Sequence, residues 1–203
     1  EEGVQRFAVF RHAAAAGIPV DFLTTCAQSH HTWENNLPAG VKTTDGLQVH
    51  FFPTDARDVP RFLRIQQSID RGRPVSETDE LFWLRNGVYS SALLAHLDRH
   101  ATDYRAILLG PYLFGLSYFA ALAHPRQALL VPCLHDEPFA RLTCMKRLFS
   151  ETAGCLFNSQ DERELAMELF TFPAAKSRIV GMGLDPFAVD STAFARRHGL
   201  TAP

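Results

Sequence analysis

The sequence predicts a doubly wound α/β fold, a mostly parallel sheet with helices on both faces. Three observations predict it. The second half of the chain repeats short, continuous apolar runs at residues 106–109, 128–131, 154–157 and 177–180, as expected of parallel strands covered on both faces. Helix-length segments separate the runs, as parallel crossovers require. Each run also ends in a loop rich in Gly, His, Asn or Ser that opens a helix, and ligands of open α/β sheets collect at such carboxyl ends.

Element by element, residues 5–16 carry a helical pattern with Val4, Phe7, Ala8 and Phe10 near one face, and Gly17 stops it. Ile18-Pro19 leads to a short β-branched strand at residues 20–25. Helix, glycine and buried strand are half of a βαβ unit. The strand that should precede the helix is not seen ahead of Gly3. Residues 47–52 read as a strand and residues 60–70 as a helix. Arg71-Gly72-Arg73-Pro74 breaks the chain. Ser76-Glu77-Thr78-Asp79 has the form of a helix start with acid in its first turn. One long helix is expected over residues 80–100, interrupted near Gly87. Helices are then expected up to Ala123, Ser150 and Phe170, the last capped by Asn158-Ser159. Ile107, Leu130 and Leu156 are the expected buried residues of central strands.

The 203 residues are enough for one sizeable α/β domain with its own core, or at most two small ones. A hydrophobic share of 46% and a charged share of 21% exclude a disordered or fibrous chain. A net charge of −2 does not recruit nucleic acid by bulk electrostatics. No apolar run approaches the roughly 18 residues of a membrane span, and no secretory leader is expected. Cys26, Cys133, Cys144 and Cys155 are scattered, three of them in apolar surroundings, as in a reduced, cytoplasmic protein.

The common catalytic motifs are absent. No phosphate-binding G-x-x-x-x-G-K-[ST] occurs, and Gly181-Met182-Gly183 lacks the third glycine of a dinucleotide fingerprint. Gly115-Leu116-Ser117 fails as a nucleophile elbow because Phe119 stands where the last glycine belongs. Cys26 with His30-His31 has no second ligand cluster, so a solvated loop is expected there rather than a metal site. Cys133 beside His135 reads as a small buried hydrophobe rather than a nucleophile.

Four passages, in order along nearly the whole chain, resemble the N-terminal domain of family-four retaining glycosyltransferases, which have two Rossmann-like domains (the GT-B architecture). Gly3-Val4-Gln5-Arg6 resembles the Gly-Gly-Val-Gln segment that opens the family's first helix. Leu109-Gly110-Pro111-Tyr112 is similar to its His-Gly-Pro-Tyr turn. Val131-Pro132-Cys133-Leu134-His135-Asp136 is similar to the strand ending in His-Asp. Val180-Gly181-Met182-Gly183-Leu184-Asp185-Pro186-Phe187 looks like the passage leading into the second domain, and Phe157-Asn158-Ser159 with Glu162 and Glu164 fits the strand and helix before it. Glu2 stands where the family has its first glycine, and Leu109 where many relatives have histidine. The family's two glutamates eight positions apart are absent.

The resemblance implies a Rossmann-like acceptor-side domain over residues 1–190, lacking its first strand, with residues 191–203 starting a linker toward a donor-binding domain. It implies transfer of a sugar, with retention and without a metal or other cofactor, from a nucleotide sugar to a hydroxyl acceptor on a glycan, lipid or small molecule. The partners are those two substrates and no nucleic acid. The isolated chain is expected to be inactive, because the absent domain holds most of the donor. The other reading is a Rossmann-like binding or interaction module without catalysis. A sheet lacking its first strand exposes unpaired backbone, so a dimer, strand exchange or aggregation is expected.

The residue assignments follow from these positions. Gly3 with the N–H groups of Val4 and Gln5 suits the donor phosphates, since a helix N-terminus offers unobstructed donors; a plain helix start is the alternative. His135, at a strand end facing the presumed cleft, is the candidate catalytic residue, hydrogen-bonding the sugar or acceptor hydroxyl, or else is satisfied by backbone. Trp33, Gly110, Asp136 and Glu137 are candidates for substrate contact, Asp136 and Glu137 alternatively as helix caps. Tyr112, Phe114 and Tyr118 read as a buried face. Arg57, Arg61, Arg64, Arg71 and Arg73 form a solvated face or a contact for acidic lipid or a polyanionic acceptor.

Overall fold

The computed structural model describes residues 12–44, 46–181, 183 and 190–199. Its backbone forms two sheets. The first holds β1 (Asp21–Thr25), β2 (Gly40–Thr44) and β3 (Leu47–Phe52) in the order β1-β3-β2, with β1 parallel and β2 antiparallel to β3. The second holds β4 (Ile107–Leu109), β5 (Ala128–Leu130), β6 (Gly154–Phe157) and β7 (Ser177–Ile179), in chain order and all parallel. The α/β class and the four late strands match the expectation. The expected single sheet is divided in two, and the hairpin strand β2 is additional. Its signal was the Asp45-Gly46 dipeptide of the sequence; in the fold Thr44 pairs with Leu47, and Gly46 has φ +81°.

The helices are α1 (Val59–Asp70), α2 (Glu77–Asn86), α3 (Ser91–His100), α4 (Gly115–Ala123), α5 (Thr143–Glu151), α6 (Gln160–Leu169) and α7 (Ser191–His198). Residues 12–15 are also helical, and the rest of the expected first helix lies outside the described residues. Side chains close the orphan N–H groups at several helix starts. Asp58, Ser76, Ser90 and Ser159 accept from Arg61, Asp79, Leu93 and Glu162 respectively. The interruption expected near Gly87 in the helix over residues 80–100 is present: α2 ends at Asn86, and a new helix, α3, is capped by Ser90. Its Oγ also donates to the Pro53 carbonyl, 2.7 Å away. No side chain of its own caps α5. The buried carboxylate of Glu80, on α2, accepts from Thr143 N–H at 3.1 Å and Cys144 N–H at 2.8 Å.

The main core lies against one face of the parallel sheet. Ala128, Leu130, Cys155 and Phe157 meet Trp83, Leu84, Tyr118, Met145, Leu148 and Phe149 there, all buried. Gly115 permits this packing, since a Cβ on it would stand 2.1 Å from the Leu84 carbonyl oxygen. Ile107 and Leu130 are buried as expected. Leu156 is only half-buried, because it points to the opposite face with half-buried Leu129 and exposed Leu108. A smaller cluster of Leu93, Leu97, Ile107 and Ala120 gathers Leu23 and Phe52 and so joins the two sheets.

Candidate functional site

Four parallel strands end side by side, so their following loops share one edge. After β4 the chain turns through Gly110, a cis Gly110–Pro111 peptide and Tyr112. Tyr112 N–H donates to the Pro132 carbonyl at 3.0 Å, which ties the β4 loop to the β5 loop. The Tyr112 ring is fully buried, and its hydroxyl donates to Glu137 Oε1 at 2.5 Å. Burial first, and then this carboxylate, push the phenol well above its ordinary range, so it stays a neutral donor.

A second carboxylate fixes the next pair of loops. Glu162, in the first turn of α6, is buried. Its Oε1 accepts from Leu134 N–H at 2.8 Å and its Oε2 from Asn158 N–H at 2.6 Å. Asn158 Nδ2 donates in turn toward Cys133 Sγ at 3.5 Å. The backbone on either side of Cys133 is held firmly, and Cys133 itself has φ +51°. Positive φ is costly for a residue with a Cβ and persists only where the surroundings impose it.

These contacts place the expected residues as follows. His135 is exposed, one residue beyond the pinned Leu134, at the carboxyl end of the β5 loop. Asp136 is exposed and pairs with Arg141 Nη1 at 2.6 Å. Glu137 is half-buried on Tyr112 and precedes the 3₁₀ turn Pro138–Arg141 without capping it by its side chain. Trp33 follows β1 with φ +55°, and its carbonyl accepts from Thr54 Oγ1 at 2.8 Å. Its ring meets Phe114 edge-on, centroids 5.4 Å apart at 82°, beside the loop that carries Gly110. Trp33, Gly110, His135, Asp136 and Glu137 therefore border one edge. Gly3, Val4 and Gln5 lie outside the described residues.

Tyr112 and Tyr118 are buried as expected, although Tyr112 belongs to the loop and Phe114 is the N-cap of α4. Of the arginines, Arg57 reaches the Asn86 and Thr32 carbonyls at 2.7 and 2.9 Å. Arg61 pairs with Asp79 at 2.9 Å and lies over the Phe82 ring. Both thus serve the fold. The Cys26, Cys144 and Cys155 thiols are buried, and burial raises all three, Cys155 to about 11, so they stay protonated and inert. Among the described residues no three His, Cys, Asp or Glu side chains are grouped to hold a metal ion, and no helix is long and apolar enough to cross a membrane.

Two features escape the sequence. One is the bridging role of Glu162: Ser159 and Glu162 have capping-box spacing, but Leu134 is 28 residues away and gives no local signal. The other is a hollow beyond the end of β3, lined by Asp55, Arg85, Asn86, Tyr89 and Ser91. Asp55 Oδ1 accepts there from both N–H and Oγ of Ser91, at 2.9 and 3.0 Å. Compared with family models, curated proteins and solved structures, the chain matches none.

Proposed function

We propose that this chain is the acceptor-side domain of a cytoplasmic, retaining glycosyltransferase, acting with a second domain that binds most of the nucleotide-sugar donor. One observation carries the reading. Trp33 and Cys133, the non-glycine residues with positive φ among the described residues, both sit in strand-end loops along the same edge. Strained backbone of this kind concentrates at ligand sites, where pre-organisation is worth its cost. The order of the four family-like passages gives that edge its chemistry.

In this reading the acceptor lies along the edge between Trp33 and His135. The Trp33 ring covers an apolar face of the sugar or acceptor, and His135 holds a hydroxyl. As the glycosidic bond breaks, negative charge grows on the departing diphosphate and positive charge on the sugar ring. Fixed hydrogen bonds then count for more than in the ground state. The Glu162 and Glu137 carboxylates act indirectly, by keeping the loop backbone from relaxing around the substrate. The second domain of this reading supplies contacts to the diphosphate, and closure excludes water.

The test is release of free nucleotide from a panel of nucleotide sugars, read beside thermal melting. His135→Ala in the two-domain parent lowers kcat by about 10²-fold with an unchanged melting temperature, because the side chain is exposed. The isolated 203-residue chain turns over no donor. Normal kcat in the variant returns His135 to a backbone-satisfied loop residue. Turnover by the isolated chain overturns the division between domains.

A further inference from the structure

The hollow beyond β3 is walled by Asp55, Ala56, Arg85, Asn86, Tyr89 and Ser91 and measures about 190 Å³. It carries one cation and one anion, Arg85 and Asp55, which, unlike Arg61 and Asp79, form no ion pair with each other. Each is anchored elsewhere. Arg85 lies over the Tyr89 and Phe119 rings, 5.0 and 5.9 Å from their centroids, and its Nη2 donates to the Tyr89 hydroxyl at 3.2 Å. Asp55 Oδ1 is held by Ser91 N–H and Oγ at the start of α3, and Asp55 N–H donates to the Tyr89 carbonyl at 3.0 Å. The Tyr89 hydroxyl first, and the Asp55 charge more weakly, hold the guanidinium above its ordinary range.

Among the described residues, no protein group bonds Asp55 Oδ2, the Tyr89 hydroxyl proton or the remaining Arg85 N–H groups. This set of donors and acceptors suits hydroxyl groups, which donate and accept at once. An anion placed there faces Asp55, and a cation faces Arg85. An apolar group takes water from both charges and returns no hydrogen bond. The Tyr89 ring is engaged by Arg85 and, edge-on at 5.2 Å, by Phe119, so it offers no platform for a flat base. A space of about 190 Å³ holds about six waters at about 30 Å³ each, and a ring bearing several hydroxyls replaces them together.

Two residues connect the hollow to the Trp33 loop. Thr54, next to Asp55, donates from Oγ1 to the Trp33 carbonyl at 2.8 Å. Arg57 spans from the Thr32 carbonyl to the Asn86 carbonyl, at 2.9 and 2.7 Å. We propose that the hollow seats one neutral sugar ring, held through its hydroxyls by Asp55 and Arg85. The ring's role, though not its binding, rests on the glycosyl-transfer reading: there it belongs to the acceptor, which is then a saccharide rather than an alkyl alcohol.

The test titrates the 203-residue chain with the methyl glycosides of glucose, galactose and mannose, and with cyclohexanol and glucose 6-phosphate as controls. Binding is read at Ser91 N–H by proton–nitrogen correlation NMR. At least one methyl glycoside shifts that signal saturably, cyclohexanol does not, and glucose 6-phosphate binds more weakly than the glycoside. Arg85→Gln and Asp55→Asn each weaken binding about tenfold or more. Asp55→Asn keeps an acceptor for Ser91, so it reads the site even where Arg85→Gln lowers the melting temperature. No saturable shift from any of the three glycosides overturns the proposal, as does unchanged affinity in both variants or tighter binding of the phosphate. Nucleotide release by the two-domain parent without glycoside binding in the hollow refutes the sugar site alone. Glycoside binding in a chain whose parent releases no nucleotide upholds the site and refutes the transfer reading alone.

Discussion

The two sheets differ in a way that strand length alone does not suggest. β4, β5 and β7 have three residues each and β6 four, whereas β1 and β2 have five and β3 six. The sheet of shorter strands is nevertheless the better buried. Ala128, Leu130, Cys155 and Phe157 are at most 1% exposed, whereas every residue of β2 is exposed and β1 is mostly half-buried. Fully burying a Leu or Phe contributes about 2 kcal/mol, so the parallel half holds the larger share of the stabilising burial. A strand gains stability from what covers it, and α4 and α5 cover the parallel half with apolar side chains.

The mixed half leans instead on α3 through a cluster of tilted histidine rings. His96 lies 5.3 Å from His50, 4.5 Å from His100 and 5.2 Å from Phe52, measured between ring centroids. His96 Nε2 is buried without a hydrogen-bond partner. Burial above all, then His100, His50 and Arg99, holds its imidazole below the ordinary range, with Asp21 opposing weakly. One half is therefore sealed by hydrocarbon and the other by neutral imidazole.

The comparison can be tested at four points. The largest effect is expected from Gly115→Ala, which forces α4 away from Leu84 in the parallel half. It destabilises by about 3 kcal/mol or more, read as a lowered urea midpoint. A shift smaller than 1 kcal/mol would mean that the helix approach is not tight. Next is Glu162→Ala, which leaves the Leu134 and Asn158 N–H groups unpaired and costs about 2–3 kcal/mol. Glu162→Gln keeps one acceptor and recovers part of the loss. Equal losses from the two substitutions would show that the carboxylate does not bridge both loops.

The third point is proton sensitivity. Because folding depresses the His96 pKa, the folded state binds fewer protons than the unfolded chain, and stability falls with falling pH. The contribution is complete above the ordinary histidine value of about 6.5 and is lost as pH drops below it. The melting temperature therefore decreases from pH 7 towards pH 5, and His96→Phe flattens the decrease. A wild-type melting temperature that stays level through that window would remove the distinction between the halves. The smallest effect is expected on β2: Val41→Lys, on a side chain 60% exposed, changes stability by less than about 0.5 kcal/mol. A larger loss would reveal a partner for that strand.

Much of the site's framework was legible without coordinates. Gly110, His135 and Asn158 were placed at strand ends and Trp33 in the loop after one; Gly110 and Asn158 directly follow β4 and β6 and Trp33 lies in the loop after β1, whereas His135 stands five residues beyond β5. The reach of Glu137 to Tyr112, and of Glu162 to Leu134, was not legible. Each joins residues more than 20 positions apart through a carboxylate that reads locally as a helix-start acid.

By itself, the sequence determined the α/β class, the four parallel runs and the caps at Ser76 and Ser159, because periodicity and capping are local and act over a few residues. Only the tertiary structure decided that Gly115 serves close packing rather than chemistry, and that Leu156 faces the emptier side of its sheet. It also decided that Glu80 caps a helix other than its own, and that the strands divide between two sheets. Those outcomes depend on which surfaces meet after the chain has crossed over, and no local pattern encodes whether two strands more than eighty residues apart share a sheet.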